Sequence, residues 1–181
     1  MPVNIEIKAR TSSADQVRSI LKERGALFIG TDLQTDTYFH VPHGRLKLRE
    51  GNIEQNLIWY HRADQKGPKQ SSFQLIDARK VPEIKVLLTA ALGIKVVVAK
   101  SREIYYIGNV KFHIDQVQEL GAFVEIEAGN LQDPSLSVTT LREQCDGYMG
   151  LFGIQAEDLL DCSYSDLLMR LAEDDGAHSF Q

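Results

Sequence analysis

The sequence is poor in cysteine and has no long apolar run. Only Cys145 and Cys162 occur in 181 residues, too few for a disulfide framework or a metal knuckle, and neither is given a nucleophilic role. No stretch approaches the roughly 18 apolar residues of a membrane span. The start of the chain is charged and strand-like, unlike a signal peptide. We therefore expect a cytoplasmic protein with no membrane partner.

An excess of positive charge is also missing. The 20 Lys and Arg are outnumbered by 25 Asp and Glu, which leaves a formal net charge of −5. This balance argues against nucleic acid as a partner. The chain contains no P-loop, no glycine-rich nucleotide motif and no HExxH sequence. Where the cations lie along the chain therefore matters more than their total.

No linker, repeat or low-complexity run divides the sequence. We expect a single domain over residues 1–171 and a flexible tail at 172–181, which holds few apolar groups. Apolar residues at helical spacing predict three helices, at 12–24, 82–93 and 135–152. Short helical turns are expected at 157–160 and 165–171.

The remaining segments alternate between apolar and polar residues, which is typical of strands. Eight strands are predicted, at 3–10, 26–41, 45–50, 54–62, 71–78, 94–107, 110–117 and 121–128. Tight connections are expected at His43–Gly44, Gly51–Asn52 and Gly108–Asn109. Eight strands joined mainly by hairpins form a sheet large enough to curl or close. The fold class is therefore α+β: an eight-stranded, antiparallel, closed or nearly closed β-barrel with helices packed outside.

One face of several predicted strands is unusually charged. In the first strand, Ile5 and Ile7 oppose Glu6 and Lys8, and five further strands show comparable alternation. If the apolar faces pack against the helices, the charged faces point into the barrel. Burying such charges without partners is costly, and a polyanion with divalent cations would relieve that cost. The alternative is that the charged faces are ordinary solvated surface.

The opening Asn4-Ile-Glu6-Ile-Lys8 resembles the Glu-x-Glu-x-Lys signature of the CYTH superfamily, the triphosphate tunnel metalloenzymes. The resemblance extends over residues 3 to about 168, and its spacing is closest to class IV adenylyl cyclases. It also rests on Asp36-Thr-Tyr-Phe, Gly44-Arg-Leu-Lys-Leu-Arg-Glu50, Lys100-Ser-Arg102, Phe112-His-Ile-Asp115, Phe123-Val-Glu125-Ile-Glu127 and Ser163-Tyr-Ser-Asp-Leu-Leu168.

The resemblance implies a role for each charged position. The triphosphate-binding residues would be Lys8, Lys47, Arg49, Arg62, Lys100 and Arg102, with Arg45 and Lys111 as possible helpers. The ligands of Mg²⁺ or Mn²⁺ would be Glu6, Asp115, Glu125 and Glu127; Asp115 could instead orient an arginine. The catalytic residues would be Glu6, Lys8 and Arg102.

The resemblance implies an enzyme that converts ATP to cyclic AMP and pyrophosphate. The alternatives are a triphosphatase acting on an inorganic or organic triphosphate and a non-catalytic polyanion-binding module. A homodimer is left open. The sequence departs from the family signature at Asn4, where a neutral amide replaces the first Glu. An amide is a poorer ligand for a hard cation, which places either metal affinity or rate in question.

Overall fold

The computed structural model describes residues 3–78 and 80–178 of the chain. Its strands are β1 (Val3–Arg10), β2 (Leu27–Phe39), β3 (Arg45–Glu50), β4 (Gln55–Arg62), β5 (Lys69–Asp77), β6 (Ile94–Ile107), β7 (Val110–Val117) and β8 (Gly121–Gly129). Its helices are α1 (Ala14–Glu23), α2 (Val81–Leu92), α3 (Val138–Leu151) and α4 (Tyr164–His178), with a 3₁₀ turn at Ala156–Asp158.

Local sequence signals explain where the helices begin and end. In α1, Val17 and Leu21 are four residues apart and both buried, so one face of the helix packs on the barrel. Pro82 lies in the first turn of α2, where its missing N–H removes no intrahelical bond. The Ser137 side chain caps α3 by accepting from the Thr140 N–H.

The eight strands form a closed, antiparallel barrel in the order β1-β5-β4-β3-β2-β6-β7-β8. The ring closes through β1 and β8, in which Glu6 is the partner of Glu127 and Lys8 the partner of Glu125. Gly108, at φ 56°, and Asn109 alone connect β6 to β7, as predicted. The predicted fold class is confirmed.

Apolar side chains on the outside of the barrel form the core with the helices. Helices α1 and α3 cover the outer faces of β1, β7 and β8, where Ile7, Phe112 and Ile126 are fully buried. Helix α2 covers another part of the wall, around Phe39 and Leu48. Because side chains alternate along a strand, this packing directs the charged residues into the barrel.

Several element boundaries differ from the sequence prediction, two of them in ways that bear on one end of the barrel. Strand β5 begins at Lys69 rather than at residue 71, because Lys69 pairs with Glu6 of β1. Helix α4 extends to His178, into the segment expected to be a tail. Residues 179–181 lie outside the described residues, and the flexibility of the tail stays a prediction. None of the helices in the described ranges combines the length and apolar character needed to cross a membrane.

The two ends of the barrel differ. At the closed end, where β1 finishes, Leu160 donates its N–H to the Lys8 carbonyl, and the Tyr164 ring packs on Phe123 with centroids 4.9 Å apart. The mouth end is where β1 starts and β8 finishes. A groove there is lined by Leu75 and Leu131, which are 50% and 62% exposed. The barrel is therefore a pocket that opens toward the mouth.

Candidate functional site: a charged cavity inside the barrel

The barrel encloses a cavity of about 150 Å³ whose walls carry charges of both signs. Almost all the predicted site residues line it. The lining cations are Lys8, Lys47, Arg49, Arg62, Lys100, Arg102 and Lys111, and the lining carboxylates are Glu6, Glu54, Glu125 and Glu127. This confirms the prediction that the charged strand faces point inward. Arg45 forms ion pairs with Asp64 and Asp166, each at 3.0 Å.

Asp36 organises the cations on one side of the cavity. Its carboxylate accepts from Nε and Nη2 of Arg49 at 2.8 and 2.9 Å. The Oδ2 atom also accepts from Lys47 at 2.8 Å and from Lys100 at 2.9 Å. Burial raises the pKa of Asp36, but the three cations outweigh it and hold that pKa well below its usual value. One buried carboxylate thus fixes three cations from two strands.

A second network surrounds Arg102. Its Nε and Nη2 donate to the two oxygens of Asp115, and Nη2 also donates to Glu125 at 2.6 Å. The Tyr164 hydroxyl donates to Asp115 at 2.8 Å. Because Arg102 and Tyr164 use both oxygens of Asp115, this geometry matches the alternative expected for Asp115, that of orienting an arginine.

Glu125 connects this network to Lys8 and His113. Its Oε1 lies 2.6 Å from Nζ of Lys8, and its Oε2 lies 2.9 Å from Nδ1 of His113. Burial raises the pKa of Glu125, but Lys8 and Arg102 outweigh it and hold that pKa well below its usual value. Burial, followed by the charge of Arg102, lowers the pKa of His113 to about 4. His113 is therefore a neutral neighbour of an ionised carboxylate at neutral pH.

Glu6 and Glu127 face each other nearer the mouth, as partners on β1 and β8. Glu6 forms an ion pair with Arg62, while Glu127 accepts a hydrogen bond from the amide of Asn4. The partner of Glu127 in this bond is neutral. The position that departs from the family signature therefore contacts one of the predicted metal ligands directly.

The donor chemistry near the mouth fits a divalent cation. No group of three His, Cys, Asp or Glu side chains able to hold a metal occurs in the described part of the chain. Mg²⁺ in phosphoryl-transfer sites, however, is usually held by one or two carboxylates together with substrate phosphates. Glu6 and Glu127 supply two such carboxylates beside the cation-lined cavity.

Lys69 lies at the closed end and was not among the predicted site residues. Its side chain is fully buried, and Nζ donates to the carbonyls of Gln65 and Leu160 at 3.3 and 3.1 Å. Burial, followed by the charges of Arg62 and Lys8, lowers the pKa of Lys69 to about 8. Lys69 therefore ties the segment that closes the barrel to the wall.

Sequence reasoning also missed Asp36, which holds three of the cations, and the lining residues Glu54 and Tyr164. Asp36 and Tyr164 lie within the motifs that carried the resemblance, but acidic and aromatic residues in strands and helices are usually structural. Glu54 precedes β4 in a turn, and strand alternation gives no direction for a turn side chain. Strand alternation was the one pattern that could have identified Asp36, because residue 36 lies on the same face of β2 as Tyr38, which lines the cavity.

The fold and the cavity define a closed-barrel protein whose interior is lined by more cations than carboxylates. Residues 3–140 match the CYTH domain family, and the chain belongs to that family. No match was found among curated proteins.

Solved structures share this fold. A candidate adenylate cyclase from Vibrio parahaemolyticus superposes with a TM-score of 0.73 at 18% identity, covering 92% of this chain and 97% of that one. A conserved hypothetical protein from Pyrococcus furiosus gives a TM-score of 0.72 at 20% identity, covering 91% and 99%. A candidate adenylyl cyclase from Hippeastrum, described as having a dominant triphosphatase activity, gives 0.57 at 14% identity, covering 96% of each chain. At these identities the likeness is evidence for the fold alone.

Proposed function

We propose that this protein is a metal-dependent enzyme acting on a triphosphate inside the barrel, with a class IV adenylyl cyclase-like reaction as the leading form. In that reaction the 3′ oxygen of ATP attacks the α-phosphorus, and pyrophosphate leaves as cyclic AMP forms. The observation that carries the proposal is the order of charges along the cavity. Glu6 and Glu127 lie toward the mouth, while Lys8 and Arg102 lie deeper.

We expect a nucleoside triphosphate to enter from the mouth with its terminal phosphate first. Its β- and γ-phosphates would then contact the deep cations, and its α-phosphate would lie near Glu6 and Glu127. Arginine supplies planar, bidentate contacts to phosphate oxygens, and lysine supplies a point charge. Lys8 and Arg102 would neutralise the charge that develops on the leaving pyrophosphate.

Glu6 and Glu127 would hold Mg²⁺ or Mn²⁺, which supplies charge neutralisation at the phosphate oxygens when bound. Arg49, Lys47 and Lys100 need no large rearrangement to bind an anion, because Asp36 already holds them in place. The nucleoside would stay at the mouth, where Phe73 and Leu75 provide apolar surface.

Phosphorus NMR of the purified protein tests the proposal. The protein is mixed with ATP, and separately with tripolyphosphate, in the presence of Mg²⁺ or Mn²⁺. Pyrophosphate together with cyclic AMP supports the cyclase. Orthophosphate release contradicts the cyclase and supports the triphosphatase, which uses the same cavity. Binding without turnover contradicts both enzymes and leaves a polyanion-binding module.

A further inference from the structure

An ion pair extends across the barrel at the mouth. Glu54 immediately precedes β4, and its Oε1 contacts Nζ of Lys111 on β7. Strands β4 and β7 lie four positions apart in the ring of eight, on opposite sides of the barrel. Both residues line the inner cavity and also the groove outside it. The pair therefore lies at the boundary between the cavity and the outside.

The backbone around Glu54 is fixed. The N–H groups of Ile53 and Glu54 donate to the Asp32 carboxylate at 2.8 and 3.0 Å, and Asp32 is fully buried on β2. A Cβ on Gly51 would lie only 2.6 Å from either Asp32 oxygen, so the turn packs closely on this anchor. The Glu54 side chain is thus aimed inward by a rigid turn rather than by a mobile loop.

Glu54 also pairs with a second cation of the cavity, Arg49. Its Oε2 accepts from Nη1 of Arg49 at 2.8 Å, while Asp36 holds the other side of that guanidinium. Glu54 thereby places a negative charge against Arg49 and Lys111, two cations that face the proposed triphosphate. The Glu54 and Lys111 side chains are each 18% exposed, so water already reaches the pair. A triphosphate carries more negative charge than a single carboxylate and can compete with Glu54 for Arg49 and Lys111.

We propose that the Glu54–Lys111 pair is an anionic gate: the carboxylate bridges the mouth, occupies cations that a triphosphate needs, and is displaced when the triphosphate enters. The proposal rests on the proposed function. Once displaced, Glu54 stays close to the bound polyanion because its backbone is held by Asp32. Its repulsion then lowers triphosphate affinity, which favours release of highly charged products.

Calorimetric titration of the full chain with tripolyphosphate at fixed Mg²⁺ tests the gate without requiring turnover. Glu54→Gln keeps the side-chain shape and removes the charge. We expect its Kd to fall about tenfold, the scale of one charge-assisted contact. The matched control is Glu103→Gln, which removes a carboxylate that pairs with Arg18 on the outside of the barrel. Its Kd should match that of the wild type.

An unchanged Kd in Glu54→Gln would overturn the gate. A higher Kd would also overturn it and would mean that Glu54 only positions Arg49 and Lys111. The binding stoichiometry reports the folded fraction, so loss of folded protein is distinguished from loss of affinity. In turnover assays, the gate predicts a lower KM for Glu54→Gln than for the wild type. If the wild type binds but Glu54→Gln shows no gain, only the gate fails. If neither protein binds tripolyphosphate, the proposed function fails as well.

Discussion

The amide of Asn4 donates a hydrogen bond to the carboxylate of Glu127, across the β1–β8 seam that closes the barrel. The residue that departs from the family signature is therefore in direct contact with a predicted metal ligand. It supplies a donor where the signature has a carboxylate. Asn4 therefore positions the Glu127 carboxylate without adding a negative charge.

We expect Asn4→Glu to place two carboxylates side by side and to create a stronger cation site. Without metal, their repulsion should lower the melting temperature. With Mn²⁺ the variant should gain more thermal stability than the wild type, because the ion binds only the folded site. Thermal melts with and without Mn²⁺ measure both effects, and Asn4→Ala serves as the uncharged control. An equal Mn²⁺ response in the wild type and Asn4→Glu would place residue 4 outside the metal site.

Glu127→Gln should weaken metal binding while leaving the fold intact. The substitution removes charge with little change in shape, and the Asn4 contact can be kept through the amide oxygen. We expect Mn²⁺ affinity, followed by calorimetry in the presence of tripolyphosphate, to fall roughly tenfold or more. Glu143→Gln, on the exposed face of α3, is the control. Wild-type metal affinity in Glu127→Gln would remove Glu127 from the proposed site.

Asp36→Asn should be strongly destabilising, because it removes the buried carboxylate that Lys47 and the buried Arg49 and Lys100 share. Loss of one partner from a buried ionic cluster costs about 3–5 kcal/mol. The exposed pair of Asp15 and Arg18 gives a matched control, and Asp15→Asn should cost ~0.5 kcal/mol or less. Chemical unfolding measures both.

Tripolyphosphate should restore more stability to Asp36→Asn than to the wild type, because the uncompensated cations would gain an anion. A similar gain in both proteins would indicate that Lys47, Arg49 and Lys100 do not contact the ligand. This comparison separates the structural role of Asp36 from its place beside the binding site.

Lys69 should make stability depend on pH in the alkaline range. Its folded-state pKa of about 8 lies below the unfolded value of about 10.4, so the unfolded chain binds more protons between these two values. The free energy of unfolding gained from Lys69 should therefore rise as pH increases from about 8 to about 10.4. Chemical unfolding at pH 7, 9 and 10 should show this increase in the wild type relative to Lys69→Met. Parallel pH profiles in the two proteins would contradict it.

Much of the architecture was readable from the sequence because strand alternation is a local property. The period of two placed Glu6, Lys8, Arg49 and Arg102 on charged faces, and the amphipathic helices indicated which faces had to turn inward. The Gly108–Asn109 hairpin was likewise a local signal. The start of β5 at Lys69 was missed, because its pairing with Glu6 joins segments far apart in the chain.

The sequence by itself determined the class of fold and the set of charges in the barrel, since both follow from residue spacing and residue chemistry. The tertiary structure decided which charges pair. Asp36 collects three cations, Asp115 and Tyr164 hold Arg102, and Glu54 reaches Lys111 across the mouth. It also decided that α4 closes one end. These contacts depend on distances of a few ångströms between strands remote in sequence, and ring closure alone sets those distances.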